Sequence, residues 1–290
     1  MIDYEKLYLN TKYTKYQIDD TLISVRKFGN GKPLILIHGF IVHGYTWRKL
    51  IPRLSEHFTC YVIDLPGFGE SEWSLNTDFT FTAQSKRVIK LFKKLNLTNY
   101  SIIAQDTGAS ISRLIAISEQ SNIEKLILIN TEIPNHRPPF IEMHQTLAKL
   151  PFSNILFRSL LKIDFIVSSP LLLKQFFFDK SKLKIKKNLD SYLIPLKTSK
   201  EKMFGMLEYL KGIEWHVVDE FAKSHAQIKA NTLFIWGEND KTFPIELAKK
   251  MPAQFNSECQ LITIPKASLM PHEERPNKVL DIIIPFLTNL

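Results

Sequence analysis

An aspartate stands between small residues in Ala104-Gln105-Asp106-Thr107-Gly108, where the apolar run Ser101–Ala104 gives way to a helical pattern. A chain that bends sharply from strand to helix crowds its own backbone. A side chain presented from such a bend needs small residues two before and two after it. Ala104 and Gly108 meet that requirement. The Asp106 carboxylate would then lie at a helix N-terminus, where free N–H groups and the helix dipole favour negative charge. The plainer alternative is an ordinary N-cap aspartate. Two further groups could work with it. Asp240 follows the apolar run Asn231–Trp236 in Trp236-Gly237-Glu238-Asn239-Asp240, and would orient an imidazole. His272 is the only histidine of the stretch Pro265–Pro276. Carboxylate, acid and imidazole thus occur in an order that suits a nucleophile, an orienting acid and a base. Phe40 follows His38-Gly39, and a glycine there lets the backbone turn so that the Phe40 N–H becomes a candidate oxyanion donor.

These groups need a scaffold, and the hydrophobic pattern supplies one. Tyr13–Ile18 and Leu22–Phe28 read as a hairpin turned by Asp19-Asp20. Pro33–Ile37, Cys60–Leu65, Ser101–Ala104, Ile123–Ile129, Asn231–Trp236 and Gln260–Ile264 are short continuous apolar runs, the mark of strands buried on both faces. Helical patterns lie between them at Trp47–Leu54, Thr82–Leu95, Thr107–Gln120, Glu246–Met251 and Asn277–Leu287. Strand and helix in alternation predict a mostly parallel, doubly wound α/β sheet with one antiparallel edge. Each candidate group sits at the C-terminal end of a predicted strand, where open α/β sheets bind ligands. The alternation stops between about Pro134 and His225, where Pro138-Pro139, Pro151 and Pro170 punctuate apolar helical segments. That stretch reads as a helical insertion over the sheet. The expected division is residues 1–133 and 229–290 as α/β core and 134–228 as helical cap.

Thirty-eight Lys and Arg against 29 Asp and Glu give a net charge of +9. The excess clusters at Lys86–Lys94, Lys197–Lys202 and above all Lys174–Lys187. No recognisable nucleic-acid module accompanies it, so solvated helix faces are expected and no nucleic-acid partner. The three phenylalanines Phe176–Phe178 among lysines leave contact with an acidic membrane surface as a lesser alternative. No run of about 18 apolar residues predicts a membrane span. The two cysteines, Cys60 and Cys259, both fall in strand-like runs and read as buried thiols of a cytoplasmic protein. A monomer or homodimer is expected.

Taken together, HGF (38–40), DLPGFGES (64–71), AQDTGA (104–109), WGEND (236–240) and HEERP (272–276) resemble the α/β-hydrolase superfamily over nearly the whole chain. The aspartate at the bend resembles the branch of epoxide hydrolases and haloalkane and fluoroacetate dehalogenases. Asn130–Pro134 looks like the start of that branch's cap domain. The resemblance implies a hydrolase with no cofactor and no metal, acting on a small apolar substrate at an sp3 carbon. Asp106 would form an ester, and His272, held by Asp240, would drive water at it. The Phe40 and Thr107 amides would hold the oxyanion. A cap tyrosine, Tyr192 before Tyr209, would protonate an epoxide oxygen, and Trp215 is the matching donor for a halide. Glu132 is the alternative acid, because some dehalogenases draw it from the loop after that strand.

The sequence departs from this pattern in two respects. Thr107 stands where dehalogenases of this type place Trp or Arg, and Phe40 where one subgroup has Asn. The halide-binding signature is therefore missing, which favours epoxides over dehalogenation with Trp47 or Trp215 as unusual donors. Most relatives carry the histidine three residues earlier, where Leu269 stands. His272 must then reach the site from a shifted position, or it merely caps the last helix. In that case a non-catalytic ligand-binding protein on the same fold is the alternative.

Overall fold

The computed structural model describes residues 3–167, 169, 173–179 and 186–288. Its centre is a single eight-stranded sheet: β1 (Tyr13–Ile18), β2 (Thr21–Phe28), β3 (Lys32–Ile37), β4 (Phe58–Asp64), β5 (Tyr100–Gln105), β6 (Ile123–Ile129), β7 (Asn231–Gly237) and β8 (Cys259–Ile264). The spatial order is β1-β2-β4-β3-β5-β6-β7-β8. β2 runs antiparallel to β1 and β4, and β3 to β8 are mutually parallel. This is the fold read from the sequence, including the antiparallel edge. The continuous apolar strands are explained by their position: β5 is buried at all six residues, and Leu34–Ile37 of β3 is wholly buried, because helices cover both faces.

Those helices on the core are α1 (Tyr4–Asn10), α2 (Ile51–Leu54), α3 (Phe81–Lys94) and α4 (Thr107–Ser118). Between β6 and β7 every described regular element is helical: α5 (Pro139–Ala148), α6 (Ser153–Leu160), α7 (Asp164–Val167), α8 (Lys186–Thr198), α9 (Lys200–Lys211) and α10 (Trp215–Ser224), with short 3-10 turns. After β7 come α11 (Ile245–Ala248), α12 (Pro271–Glu274) and α13 (Pro276–Thr288). The predicted helix Trp47–Leu54 is instead a 3-10 turn, Gly44–Trp47, followed by α2; Pro52, lacking an N–H, sits at the start of the second piece.

Cys60 is buried as expected, but Cys259 is only half-buried, because β8 is the outermost strand. Part of the lysine-rich Lys174–Lys187 stretch, with its membrane alternative, lies outside the described residues. Among the described residues no helix is long and apolar enough to cross a membrane.

Candidate functional site

The bend after β5 has the strained geometry that its small residues anticipate. Asp106 adopts φ 52° and ψ −131°, a conformation unusual for a residue with a side chain. Three backbone contacts hold it. Its N–H reaches the Asn130 carbonyl at 2.8 Å, and its own carbonyl accepts from Ala109 N–H at 2.8 Å. Thr131 Oγ1 lies 3.0 Å from that same carbonyl. A Cβ on Gly108 would overlap the His38 carbonyl, and one on Gly39 would press on the Asp106 side chain. The two glycines thus let three segments, from β3, β5 and α4, meet at one point.

At that point the Phe40 N–H donates to Asp106 Oδ2 at 2.7 Å. His38 sets this loop. Its Nε2 accepts from Leu65 N–H at 2.9 Å and its Nδ1 lies 2.7 Å from the Gly39 carbonyl, so the ring is neutral, with the proton on Nδ1. Burial drives its pKa down to about 4, which fits that state. The DLPGFGES stretch is structural: Asp64 accepts from Gly44 N–H and Glu70 N–H, and Ser71 Oγ donates to the Asp64 carbonyl.

Asp106 opens onto a cavity of about 60 Å³ of free volume, roomier than a single water requires. Its wall is mostly apolar and comes from both layers. Phe40 and Leu269 line it from the sheet side, and Phe140, Phe157 and Met206 from the helices between β6 and β7. Gln105, Thr107, Glu132 and Thr242 supply polar positions on Asp106's side, and His144 supplies one from the helical side. Burial and the nearby Glu132 charge push the Asp106 carboxyl well above the usual carboxylate range, while the Phe40 and Thr107 amides pull it back.

The α/β hydrolase fold family matches residues 32–276. The chain belongs to that family. The uncharacterized hydrolase YugF of Bacillus subtilis (strain 168) is 24% identical over 257 residues, covering 88% of this chain and 89% of YugF. Human epoxide hydrolase 4 is 25% identical over 271 residues, covering 89% of this chain and 73% of that protein. Among solved structures, a thermophilic esterase from Thermogutta terrifontis superposes with a TM-score of 0.78 at 19% identity, covering 96% of this chain and 98% of the esterase. That likeness shows the α/β-hydrolase fold alone.

Within this α/β-hydrolase frame the expected acid and imidazole do not meet. Asp240 Oδ2 accepts from Asn130 Nδ2 at 2.7 Å, and Oδ1 accepts from the Thr242 and Phe243 N–H groups at 2.8 and 3.1 Å. Asn130 Oδ1 in turn accepts from Gly237 N–H at 2.9 Å. Asp240 is therefore a bracket between the ends of β6 and β7. Burial lifts its pKa to about 7 despite the three donors.

His272 is a correction to the sequence reading. It is fully buried, but it does not line the cavity. Its Nε2 lies 2.7 Å from Thr46 Oγ1, and its ring stacks on Trp47 at 4.8 Å between centroids. The reason is local. Pro271 starts α12, so His272 falls on the first helical turn and faces the Gly44–Trp47 segment, while Leu269 and Met270 before it face the cavity. Burial holds His272 at a pKa of about 4.

Two assignments between β6 and β7 are corrected as well. Tyr192 lines a smaller neighbouring cavity and donates its hydroxyl to Glu273 at 3.2 Å. Trp215 Nε1–H donates to Gln145 Oε1 at 2.7 Å, and its ring lies under the Arg137 guanidinium. Neither lines the Asp106 cavity, because α8 and α10 turn these side chains toward other partners. Tyr209 lies nearer, donating to Thr107 Oγ1 at 3.0 Å.

The sequence reading missed the polar group behind Glu132. Ser110 Oγ donates to Glu132 Oε2 at 2.6 Å, and Thr131 Oγ1 lies 3.0 Å from the same oxygen. Arg113, fully buried, donates from Nη2 to Ser110 Oγ, Thr131 Oγ1 and the Glu132 carbonyl. Burial pulls Arg113 down to about 9, and Glu132 opposes that pull. One signal was available: an arginine inside the otherwise apolar helix pattern Ser110–Ser118.

Proposed function

We propose that this α/β hydrolase opens a small apolar, epoxide-like substrate at an sp3 carbon, with the Asp106 carboxylate forming an ester that water then cleaves. The observation that carries this reading is the Asp106 carboxyl itself. It sits on the strained bend, its Oδ2 accepts the Phe40 amide, and it borders a mostly apolar cavity. A carboxylate is a weak nucleophile and suits a strained ring. The same two amides that hold the carboxylate would hold the oxyanion when the ester is cleaved.

Epoxides are favoured over halides because neither expected tryptophan N–H donor for a halide reaches the cavity wall. Thr107 follows Asp106, and the Trp215 N–H is committed to Gln145. Trp47 is fully buried against His272 and does not line the cavity. The name of the human relative, epoxide hydrolase 4, points the same way. A second reading, binding of a small apolar ligand without turnover, draws on Leu269 standing where an imidazole is expected.

Styrene oxide separates the two readings. The parent protein should release diol, with the epoxide carbon attached transiently to Asp106 in quenched samples. Asp106→Asn should lower turnover by about 10⁴-fold or more. Diol release that survives in Asp106→Asn would eliminate the ester. Saturable binding with neither diol nor adduct would favour the binding protein.

A further inference from the structure

We propose that Glu132 is the base of this site and takes the place of a histidine in cleaving the ester. The inference rests on the Asp106 ester reading and adds the group that completes it.

The geometry begins with the cavity wall: among the described residues its one imidazole, His144, comes from the helical side with Nδ1 2.8 Å from the Phe140 carbonyl, and the core side supplies none. His272 is turned to Thr46 and Trp47, and Leu269 occupies the wall. Glu132 is a wall residue, fully buried, on the loop that follows β6. Its two oxygens are in different states. Oε2 is fixed by Ser110 and Thr131, with Arg113 behind them, while Oε1 is buried and has no hydrogen-bond partner. A buried carboxylate oxygen without a partner is costly unless it has a task or a ligand. Two other wall residues carry unpartnered buried polar atoms, Gln105 Oε1 and Thr242 Oγ1. A water or a substrate oxygen entering beside Asp106 would meet these groups, and the rest of the wall would exclude bulk solvent.

Burial and the Glu132 charge favour the acid form of Asp106 between turnovers. In the first step an Asp106 oxygen attacks the epoxide carbon, the C–O bond breaks and the carboxyl proton passes to the departing oxygen, leaving an ester on Asp106. The Glu132 carboxylate takes no part in this step. In the second step that carboxylate removes a proton from water, and the hydroxide adds to the Asp106 carbonyl carbon. The oxyanion is held by the Phe40 and Thr107 amides. The tetrahedral adduct collapses, and the alcohol oxygen leaves with the proton returned by Glu132. The newly formed Asp106 carboxylic acid is ready for the next cycle.

The test uses styrene oxide in H₂¹⁸O, with intact and peptide mass spectrometry on the full chain. The parent should turn over repeatedly and carry ¹⁸O in the Asp106 peptide. Glu132→Gln should still form the Asp106 adduct but lose it about 10²–10⁴-fold more slowly. Glu132→Asp keeps the charge beside Arg113 with a shorter reach, guards against misfolding of the amide variant, and should slow adduct loss by a smaller factor. Adduct loss at the parent rate in both variants would overturn the role of Glu132 and leave the ester reading intact, as would a parent that stalls as the ester. Diol carrying ¹⁸O with none in Asp106, or no adduct in any protein, would overturn the ester reading and this inference with it.

Discussion

Two loops border the same cavity and have diverged. The bend after β5 keeps every feature that presents a carboxyl: positive φ at Asp106, glycines at 39 and 108, and the Phe40 amide at 2.7 Å. The loop after β8 keeps its architecture without the imidazole. Glu274 Oε2 accepts from Ser268 N–H at 2.8 Å and closes the loop. Glu273, although burial alone would raise it, is held down to about 2 by Arg48 and Lys49 and pins α12 to the core. The charged residues of HEERP thus serve the scaffold, and the position facing the cavity is leucine. A loop can thus serve the scaffold with its charged residues while presenting only apolar ones to the cavity.

The largest expected effect comes from erasing this difference. Leu269→His would put an imidazole in the cavity wall. If the β8 loop lacks only that ring, cleavage of the Asp106 ester should quicken by about 10²-fold. The measurement is the single-turnover rate of adduct loss; an unchanged rate would mean that the loop no longer presents position 269 usefully. The converse experiment is made at the bend. Gly108→Ala drives a methyl into the His38 carbonyl from a backbone that cannot retreat, and should cost about 3 kcal/mol in a urea titration. Leu269→Met, a volume-conserving change on the other loop, should cost less than about 1.5 kcal/mol. Equal costs would remove the contrast between a constrained bend and a tolerant wall.

These differences track what could be read along the chain. Six strands were legible because short apolar runs bounded by turn residues favour strand over helix at that length, and the first two because a turn pair joins them as a hairpin. The Asp106 bend was legible because its requirement is local: small residues at fixed offsets. His272 was not, since the side it faces depends on where a four-residue helix begins, and a shift of three residues there turns a side chain from cavity to core. Glu132 was seen only as an alternative acid. Its partners Ser110 and Arg113 come from α4, and their convergence appears only once α4 packs under the end of β6. Tyr192 and Trp215 miss the cavity wall for the same reason, because the helices between β6 and β7 take their partners from tertiary packing.

The smallest effect concerns His272, and its sign depends on pH. At pH 7 His272→Gln should leave turnover unchanged, since the ring is not in the cavity wall. It should cost about 1–2 kcal/mol of stability through loss of the stacking on Trp47 and a weakened contact with Thr46. The folded-state pKa of His272 lies at about 4, below the ordinary 6.5. The unfolded chain therefore binds a proton that the folded chain refuses, so the parent's stability is full above about 6.5 and falls as pH drops towards 4. For this one ring the loss approaches about 3 kcal/mol. Glutamine does not titrate, and the similarly depressed His38 and His225 act equally in both proteins. The gap between parent and variant should therefore narrow below pH 6.5 and reverse on the way to 4, as read by urea midpoints. Parallel curves would show that the ring takes up its proton in place, and parallel curves together with lost turnover at pH 7 would return His272 to the chemistry.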